Sequence, residues 1–333
     1  MDIGKGREPK MKTISVILPC YNEEESLPLY FKAVDPVIEK IEGYQFDFVL
    51  VNDGSKDHTL DVMKDLYQKR NDVTVVNEAR NFGQNAALTA GLLTAKGDYV
   101  VMMDVDLQDP VELLAEICKK FDEGFEVVNP HRANRQSDSK FKRTTAGMFY
   151  KFINKLEGKK VIPENVNCFR GLSRRAVDAL NALPEKDRYY VALVPMVGFK
   201  TCEIDFVRQE RDAGESKYNV SKMFDYAFNL ISCTTAKPLY APLKAGAISM
   251  AITGFLSVVF LVLFFLAEFA LISHETIYLV FLLIFALAFF ASLIIFVIGI
   301  IGLYMHNILI NTRERPTTQI GEVLRPEEKE KTE

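Results

Sequence analysis

The most informative run of the chain is Tyr99-Val100-Val101-Met102-Met103-Asp104-Val105-Asp106-Leu107-Gln108-Asp109. An apolar run leads directly into acids at alternate positions, Asp104 and Asp106. Short apolar runs of this kind are typical of strands buried on both faces of a parallel sheet. Two carboxylates so close repel each other unless a cation or a proton intervenes. We therefore interpret the run as a buried strand that ends at a functional edge of a sheet.

Similar strands, separated by helical stretches, flank this run. The predicted strands are Thr13–Leu18, Phe46–Val51, Val73–Val76 and Tyr99–Met103. The predicted helices are Glu24–Ile41, Thr59–Arg70, Gln84–Ala95 and Val111–Glu123. This βαβ series predicts an α/β domain whose ligands bind at the carboxyl ends of the strands. No G-x-G-x-x-G motif follows the first strand, which disfavours a dinucleotide cofactor.

The acids after the last of these strands suit a divalent cation. A hard ion such as Mg²⁺ is commonly held by one or two carboxylates and completed by phosphate oxygens. Such an ion neutralises a pyrophosphate leaving group. A bare D-x-D is weak evidence, and its position at a strand end strengthens it. Gln108 can add a neutral oxygen ligand or cap the following helix.

The other strand ends carry further candidates, each with a structural alternative. Asp53, in a tight turn with Gly54, can accept from a base or ribose, or form an Asx turn or helix cap. Tyr21 can stack on a base or simply pack. The loop Arg80–Gly83 precedes a helix, so its amides and guanidinium can meet a negatively charged ligand. Otherwise it is a surface loop.

Composition narrows the functional class. The 333 residues suffice for an α/β domain of roughly 230 residues and a smaller part. The net charge of −4 and the lack of a basic block give no reason to expect a nucleic-acid partner. The five scattered cysteines form no C-x-x-C pair, which favours reduced thiols facing a cytoplasm over disulfides or a zinc site. Residues 1–12 are polar, so we expect a flexible N-terminus without a cleavable signal peptide.

Two long apolar runs, Ala245–Ile272 and Ile277–Tyr304, predict transmembrane helices. Each is about 42 Å long as a helix, enough to cross a hydrocarbon core of ~30 Å. Basic residues flank both outer ends: Lys237, Lys244, Arg313 and Arg315. The positive-inside bias then predicts a multi-pass protein with its N-terminal domain in the cytoplasm. A buried helical hairpin in a soluble protein is the alternative.

Together these segments resemble glycosyltransferase family 2, and within it the dolichyl-phosphate-mannose-synthase-like polyprenyl-phosphate glycosyltransferases of the bactoprenol glucosyltransferase type. The matching segments are Ser15–Glu24, Asn52–Ser55, Arg80–Gly83, Met103–Pro110, Ala213–Tyr218, Lys237–Leu239 and Ile301–Tyr304. The resemblance implies a GT-A (Rossmann-like) fold, a UDP-sugar donor (UDP-glucose as the best guess), Mg²⁺ or Mn²⁺, and a polyprenyl (undecaprenyl) phosphate acceptor. It further implies inverting transfer at the cytoplasmic face of the inner (plasma) membrane, for cell-envelope glycosylation, by a homo-oligomer.

The resemblance also implies roles for individual residues. It places the nucleotide sugar against Pro19, Tyr21, Glu23, Asp53, Arg80, Gly83 and Asp104. It gives Asp106 and Gln108 to the metal, and it counts Asp104, Asp106, Arg132 and Arg143 as catalytic. The acceptor phosphate is assigned to Arg132, Lys142, Arg143, Arg211 and Lys217.

The resemblance predicts two amphipathic helices at the membrane surface, Phe141–Leu156 and Val220–Ser232, whose basic residues suit an anionic lipid head group. Ordinary surface helices are the alternative. We accordingly divide the chain into a flexible start (1–12), a catalytic domain (13–218, with the first interfacial helix at about 141–156), a second interfacial helix and linker (219–244), a transmembrane hairpin (245–304) and a cytoplasmic tail (305–333).

One departure concerns the catalytic base. Many family members read D-x-G-D-F-R where this chain reads Asn165-Val166-Asn167-Cys168-Phe169-Arg170. A phosphate monoester has a second pKa of about 6, so it is largely ionised at pH 7 without a base. We therefore expect activity to survive. Two alternatives stay open: a non-catalytic sugar-lipid-binding scaffold, favoured by this departure, and a processive polysaccharide synthase, disfavoured by the absence of tryptophan and by only two spans.

Overall fold

The structure is a computed structural model that describes residues 11–132, 168–186, 188–206, 248, 251–252, 255, 275–313 and 315–326. The chain forms two compact units. The first comprises Met1–Phe224 with Glu314–Glu333, and the second comprises Asp225–Arg313.

The first unit alternates strands and helices, as predicted. Its strands are β1 (Lys12–Cys20), β2 (Tyr44–Asn52), β3 (Val73–Glu78), β4 (Tyr99–Met102), β5 (Val127–Arg132), β6 (Arg170–Ser173), β7 (Thr201–Phe206) and β8 (Ile320–Leu324). Its described helices are α1 (Ser26–Ile38), α2 (Thr59–Lys69), α3 (Gln84–Thr94), α4 (Leu113–Asp122), α5 (Arg174–Asn181) and α6 (Tyr190–Met196). The predicted strands and helices up to residue 123 are confirmed, with ends that shift by a few residues.

The described strands form one sheet in the order β7-β5-β6-β4-β1-β2-β3-β8. Strand β1 pairs in parallel with both β2 and β4, and β2 pairs in parallel with β3. The strand order therefore reverses at β1, and the loops that follow β1, β2, β3 and β4 leave the same edge. In open α/β sheets this switch point is where ligands bind.

The hydrophobic core lies on both faces of the sheet because alternate residues of β1 point to opposite sides. Ile14, Val16 and Leu18 belong to one apolar cluster, whereas Ile17 belongs to the other. Helix α3 lies very close to the second face, since a Cβ atom on Gly91 would lie 2.3 Å from Cγ2 of Ile17. This close packing fixes the N-terminal end of α3 beside the carboxyl edge of the sheet.

The last described strand comes after the apolar segment. Within residues 305–333, which we expect to form a cytoplasmic tail, Ile320–Leu324 is an edge strand that pairs antiparallel with β3. The physical reason is that β3 would otherwise leave its backbone groups unpaired along that edge. Val323 and Leu324 also pack against the core clusters. The first unit therefore includes residues on both sides of the apolar segment.

The second unit contains helix α7 (Glu275–Thr312), which has 38 residues and covers the predicted run Ile277–Tyr304. Its large apolar side chains are exposed at many positions, including Leu287, Ile295 and Phe296. Its window Phe289–His306 has a mean hydropathy of 2.2, and α7 is the one helix among the described residues that is long and apolar enough to cross a membrane.

Three predicted helices fall largely or wholly outside the described residues. The run Ala245–Ile272 is described only at residues 248, 251–252 and 255, which are helical. The predicted interfacial helices Phe141–Leu156 and Val220–Ser232 lie entirely outside the described ranges.

Candidate active site

The loops after β1 and β2 are joined by hydrogen bonds into one unit. The amide of Asp53 donates to the carbonyl of Cys20 at 2.9 Å. The amide of Asn22 donates to Oγ of Ser55 at 3.1 Å, and Oδ1 of Asn22 accepts from the amide of Lys56 at 2.9 Å. Asn22 can do this because its φ of 57° turns the loop back towards β2. The loops after β1 and β2 therefore form one surface at the carboxyl edge of the sheet, here called the preformed wall.

Three of the predicted nucleotide-binding residues line this wall. Pro19 lies within β1 and is partly buried. The side chain of Tyr21 is 39% exposed, so its ring is accessible to a base. Oε2 of Glu23 accepts from the hydroxyl of Ser26 at 2.6 Å. The structure brings these residues together at the edge.

Asp53 holds the loop that precedes α3. Its side chain is 4% exposed. Its Oδ1 accepts from the amide of Phe82 at 2.6 Å, and Oδ2 accepts from the amide of Gly83 at 3.0 Å. The turn and the loop approach so closely that a Cβ atom on Gly54 would lie 2.3 Å from the amide nitrogen of Asn81. Asp53 therefore acts directly on the position of the Arg80–Gly83 loop.

Arg80 and Gly83 lie in this loop. Arg80 is exposed, and its guanidinium lies 4.1 Å from the centroid of the Phe82 ring. Gly83 caps the start of α3 with a φ of 95°, a conformation that favours glycine. The amides of Ala86 and Ala87 bond to the Gly83 carbonyl, at 2.9 and 3.1 Å. The loop after β3 thus carries a basic residue and leads into a helix N-terminus, a combination that suits a negatively charged ligand.

Asp104 and Asp106 follow β4 and are partly exposed. Oδ1 of Asp104 accepts from Nε2 of Gln84 at 2.9 Å. Oδ1 of Asp106 accepts from the amide of Gln108 at 3.1 Å, in a turn where Leu107 has a φ of 55°. The Gln108 side chain is 7% exposed. The last strand of the parallel series therefore presents two carboxylates at the edge.

Sequence reasoning missed two residues of this edge, Gln84 and Glu78. Gln84 is the first residue of α3 and reaches across to Asp104. Its position directly after the Arg80–Gly83 loop was the signal that could have identified it. Glu78, the last residue of β3, is 2% exposed and lies next to Asp53, whose charge raises the pKa of Glu78. No sequence signal marks a buried acid at the end of a strand.

The donor set at the edge fits a divalent cation that arrives with a substrate. Among the described residues, no group of three or more His, Cys, Asp or Glu side chains is arranged to hold a metal by itself. Two carboxylates and an amide would leave the remaining positions of an octahedral ion to phosphate oxygens and water. That is how Mg²⁺ is usually held at nucleotide sites.

Cys168 occupies a position where the family resemblance implies an acid, and the charge of Asp104 acts on it. Burial, together with the charge of Asp104 and against the opposing effect of Arg170, raises the pKa of the Cys168 thiol to about 11. The thiol is therefore neutral at physiological pH and cannot replace a carboxylate base. Asn165 lies outside the described residues.

The predicted acceptor residues are only partly placed. Arg132 is the last residue of β5 and is level with Phe206 of β7, but its side chain is not among those described. Lys142, Arg143, Arg211 and Lys217 lie outside the described ranges. Their assignment to a phosphate group stays a prediction.

Comparison with known proteins identifies the family. The model for "Glycosyl transferase family 2" matches residues 15–180. An uncharacterized glycosyltransferase of Bacillus subtilis, YkcC, is 34% identical over 91% of both chains. The bactoprenol glucosyl transferase of Shigella phage SfV is 38% identical over 68% of this chain and 73% of its own length. The undecaprenyl-phosphate 4-deoxy-4-formamido-L-arabinose transferase of Photorhabdus laumondii is 31% identical over 95% of both.

A solved structure supports the fold. The glucosyl-3-phosphoglycerate synthase of Mycobacterium tuberculosis, in complex with Mn²⁺, UDP and phosphoglyceric acid, aligns with a TM-score of 0.50 and 19% identity. The alignment covers 68% of this chain and 78% of that one. With the family match and the relatives above, the conclusion is that this chain is a glycosyltransferase of the GT-A fold and belongs to glycosyl transferase family 2.

Proposed function

We propose that this enzyme transfers a sugar from a UDP-sugar, with UDP-glucose as the best guess, to polyprenyl (undecaprenyl) phosphate. The transfer inverts the anomeric carbon at the cytoplasmic face of the membrane, and the product supplies cell-envelope glycosylation. One observation carries the proposal. Half-exposed Asp104 and Asp106 lie at the edge where the loops after β1, β2 and β3 converge, in a chain whose relatives are named for transfer involving bactoprenol and undecaprenyl phosphate.

The edge offers a plausible place for each part of the donor. Tyr21 and the loops of the preformed wall suit the nucleoside, with the Arg80–Gly83 loop directed at the diphosphate. Asp104, oriented by Gln84, suits a hydroxyl of the donor. Asp106 and Gln108 would hold Mg²⁺ or Mn²⁺, which when bound supplies positive charge that stabilises a diphosphate leaving group.

The reaction is a displacement at one carbon. A phosphate oxygen of the lipid forms a bond to the anomeric carbon, and the bond from that carbon to the UDP oxygen breaks. UDP leaves with the bonding electron pair. The lipid phosphate is largely ionised at neutral pH, so no proton has to be removed. The Cys168 thiol, which stays protonated, is consistent with a reaction driven by positioning and by charge.

Helix α7 supports a membrane location. Its 38 residues measure roughly 57 Å, more than the ~30 Å of a hydrocarbon core. Exposed apolar side chains cover its described surface, and Arg313 and Arg315 follow it. We propose that α7 and the run Ala245–Ile272 form a transmembrane hairpin with the catalytic unit on the cytoplasmic side, in a homo-oligomer.

The test is a transfer assay on the purified full chain in detergent. The protein is incubated with undecaprenyl phosphate, MgCl₂ and a panel of labelled UDP-sugars, and the lipid is extracted and counted. Label on a single-sugar lipid with one donor, lost in Asp106→Asn, is the expected result. A growing polymer would identify a processive synthase. Absence of transfer from every donor, together with binding of the sugar-lipid, would identify a scaffold and overturn the proposal.

A further inference from the structure

The segment Thr317–Arg325, here called the strap, lies along the edge of the sheet that β3 would otherwise form. Its strand β8 pairs with β3, and the carbonyl of Gln319 accepts from the amide of Ala79 at 2.9 Å. The carbonyl of Arg325 accepts from the hydroxyl of Tyr67 at 3.0 Å. The strap thus runs beside the residues that lead into the Arg80–Gly83 loop.

One side chain of the strap reaches inward. The hydroxyl of Thr318 donates to Oε1 of Glu78, which is buried at the end of β3. The carboxyl of Glu78 is next to that of Asp53, close enough for each group to act on the pKa of the other. Asp53 accepts from the amides of Phe82 and Gly83. Polar contacts therefore link the strap, through Glu78 and Asp53, to the loop before α3.

The charges in this series have a consistent arrangement. Two carboxyl groups that are 2% and 4% exposed cannot both be ionised in contact, so they share a proton. Burial, together with the Asp53 charge and against the hydrogen bond from Thr318, raises the pKa of Glu78 to about 7. Burial raises the pKa of Asp53 as well, but the amides of Phe82 and Gly83 oppose that rise, so we place the shared proton on Glu78. In that state Glu78 can donate to Asp53 while it accepts from Thr318.

We propose that Glu78 and Thr318 are positioning residues of the donor site. They hold Asp53 in the orientation that fixes the amides of Phe82 and Gly83, and so they set the geometry of the loop that receives the diphosphate of the donor. This inference rests on the proposed function for the identity of the ligand. The loop-fixing step stands on the geometry alone.

The first part of the test compares three threonine variants of the full chain in detergent. Thr318→Val keeps the shape of the side chain and removes its hydroxyl, whereas Thr318→Ser restores the hydroxyl. Thr317→Val is the matched control, because the hydroxyl of Thr317 bonds to the carbonyl of Lys186 instead. UDP binding is measured by calorimetry with MgCl₂, and backbone hydrogen exchange is followed in peptides that cover residues 79–84.

We expect Thr318→Val to weaken UDP binding by about three- to tenfold and to speed exchange at Phe82 and Gly83. Thr318→Ser and Thr317→Val should stay within about twofold of wild type. In the transfer assay the change should appear in the KM for the donor and not in kcat. Glu78→Gln, whose amide can still donate to Asp53, should bind UDP better than Glu78→Ala. This comparison keeps the test decisive if Thr318→Val is poorly folded.

The outcomes separate the two proposals. Unchanged exchange and unchanged UDP affinity in both Thr318→Val and Glu78→Ala would overturn the positioning role while leaving the proposed function intact. Equal losses in Thr317→Val and Thr318→Val would also overturn it, because the effect would then belong to the strap as a whole. A wild-type protein that binds no UDP would overturn the proposed function, and with it the role of Thr318 in donor binding.

Discussion

Two pairs of acidic side chains lie at the same edge of the sheet and differ in their surroundings. Asp104 and Asp106 are partly exposed; Asp104 accepts from the side-chain amide of Gln84, and Asp106 accepts from the backbone amide of Gln108. Asp53 and Glu78 are almost fully buried and lie next to each other; Asp53 accepts from two loop amides, and Glu78 accepts from a threonine hydroxyl.

The difference shows how burial decides what a pair of carboxyl groups can do. The partly exposed pair is accessible from solvent, so it is available to a cation brought by a substrate. The buried pair cannot keep two charges, so it retains a proton and serves to hold the backbone. Similar side chains thus give one pair that can bind a cation and another pair that holds the backbone of a loop.

The largest effect should come from the exposed pair. We expect Asp106→Asn to lower kcat by about a hundredfold or more, because the ion that stabilises the leaving group loses a charged ligand. The thermal unfolding midpoint should stay the same or rise, since one of two repelling charges is removed. The exposed Asp65→Asn, which breaks only a surface pair with Lys69, is the matched control for activity. Equal kcat in the two variants would contradict the assignment of Asp106.

A substitution in the buried pair should instead lower the stability of the fold. We expect Asp53→Ala to reduce the free energy of unfolding by about 2 kcal/mol, because the amides of Phe82 and Gly83 lose their acceptor. Donor binding should weaken as well. Chemical denaturation of the two aspartate variants in the same detergent checks this contrast. A stability loss in Asp106→Asn as large as that in Asp53→Ala would remove the distinction between the pairs.

A smaller effect concerns pH. The pKa of Glu78 is about 7 in the folded chain against an ordinary value of 4.5, so the folded state binds the proton more tightly. This contribution to stability is therefore complete at low pH and is lost as the pH rises from about 4.5 to 7. The groups that act on Glu78 are Asp53 and Thr318.

The measurement is the unfolding midpoint of wild type and Glu78→Gln between pH 5 and 8. The difference between the two is needed because burial also raises the pKa of Asp47 to about 6, which falls in the same range. We expect the wild type to lose stability relative to Glu78→Gln as the pH rises. A constant difference would show that Glu78 does not hold the proton.

The smallest effect should come from Cys168. Its thiol is neutral over the working range, so Cys168→Ser should change kcat by less than about threefold and leave the pH profile between 6 and 8 unchanged. Steady-state transfer rates at several pH values check this. A profile that loses an ionisation in the variant would show that the thiolate takes part.

Local patterns in the sequence were enough to predict the parallel core and the exposed acids. Strands β1 to β4 each contain a short run rich in apolar residues, and Asp104 and Asp106 come shortly after the last of them. The features that escaped prediction depend on contacts distant in sequence. Strand β6 has only four residues, and β8 is recognisable only from the open edge of β3 that it covers. The role of Glu78 requires a threonine 240 positions away.

Asp53 shows the same limit within the site. Its position in an Asn-Asp-Gly-Ser turn correctly indicated a polar residue at the edge. The sequence could not distinguish a ligand contact from a loop contact, because that depends on how closely the Asn81 backbone approaches Gly54. Gln84 reaches Asp104 for a similar reason, since the close packing of Gly91 against Ile17 sets the position of α3.

Strand β8 also has a consequence for the order of synthesis. Because it follows α7 along the chain, the ribosome makes the other seven described strands and then the apolar helix before the last strand exists. N-terminal parts of a chain generally fold first during translation. The nascent enzyme therefore passes through a stage in which β3 is an uncovered edge and the hydroxyl of Thr318 has not yet reached Glu78. The Arg80–Gly83 loop would then reach its final position only after the apolar helix has been translated.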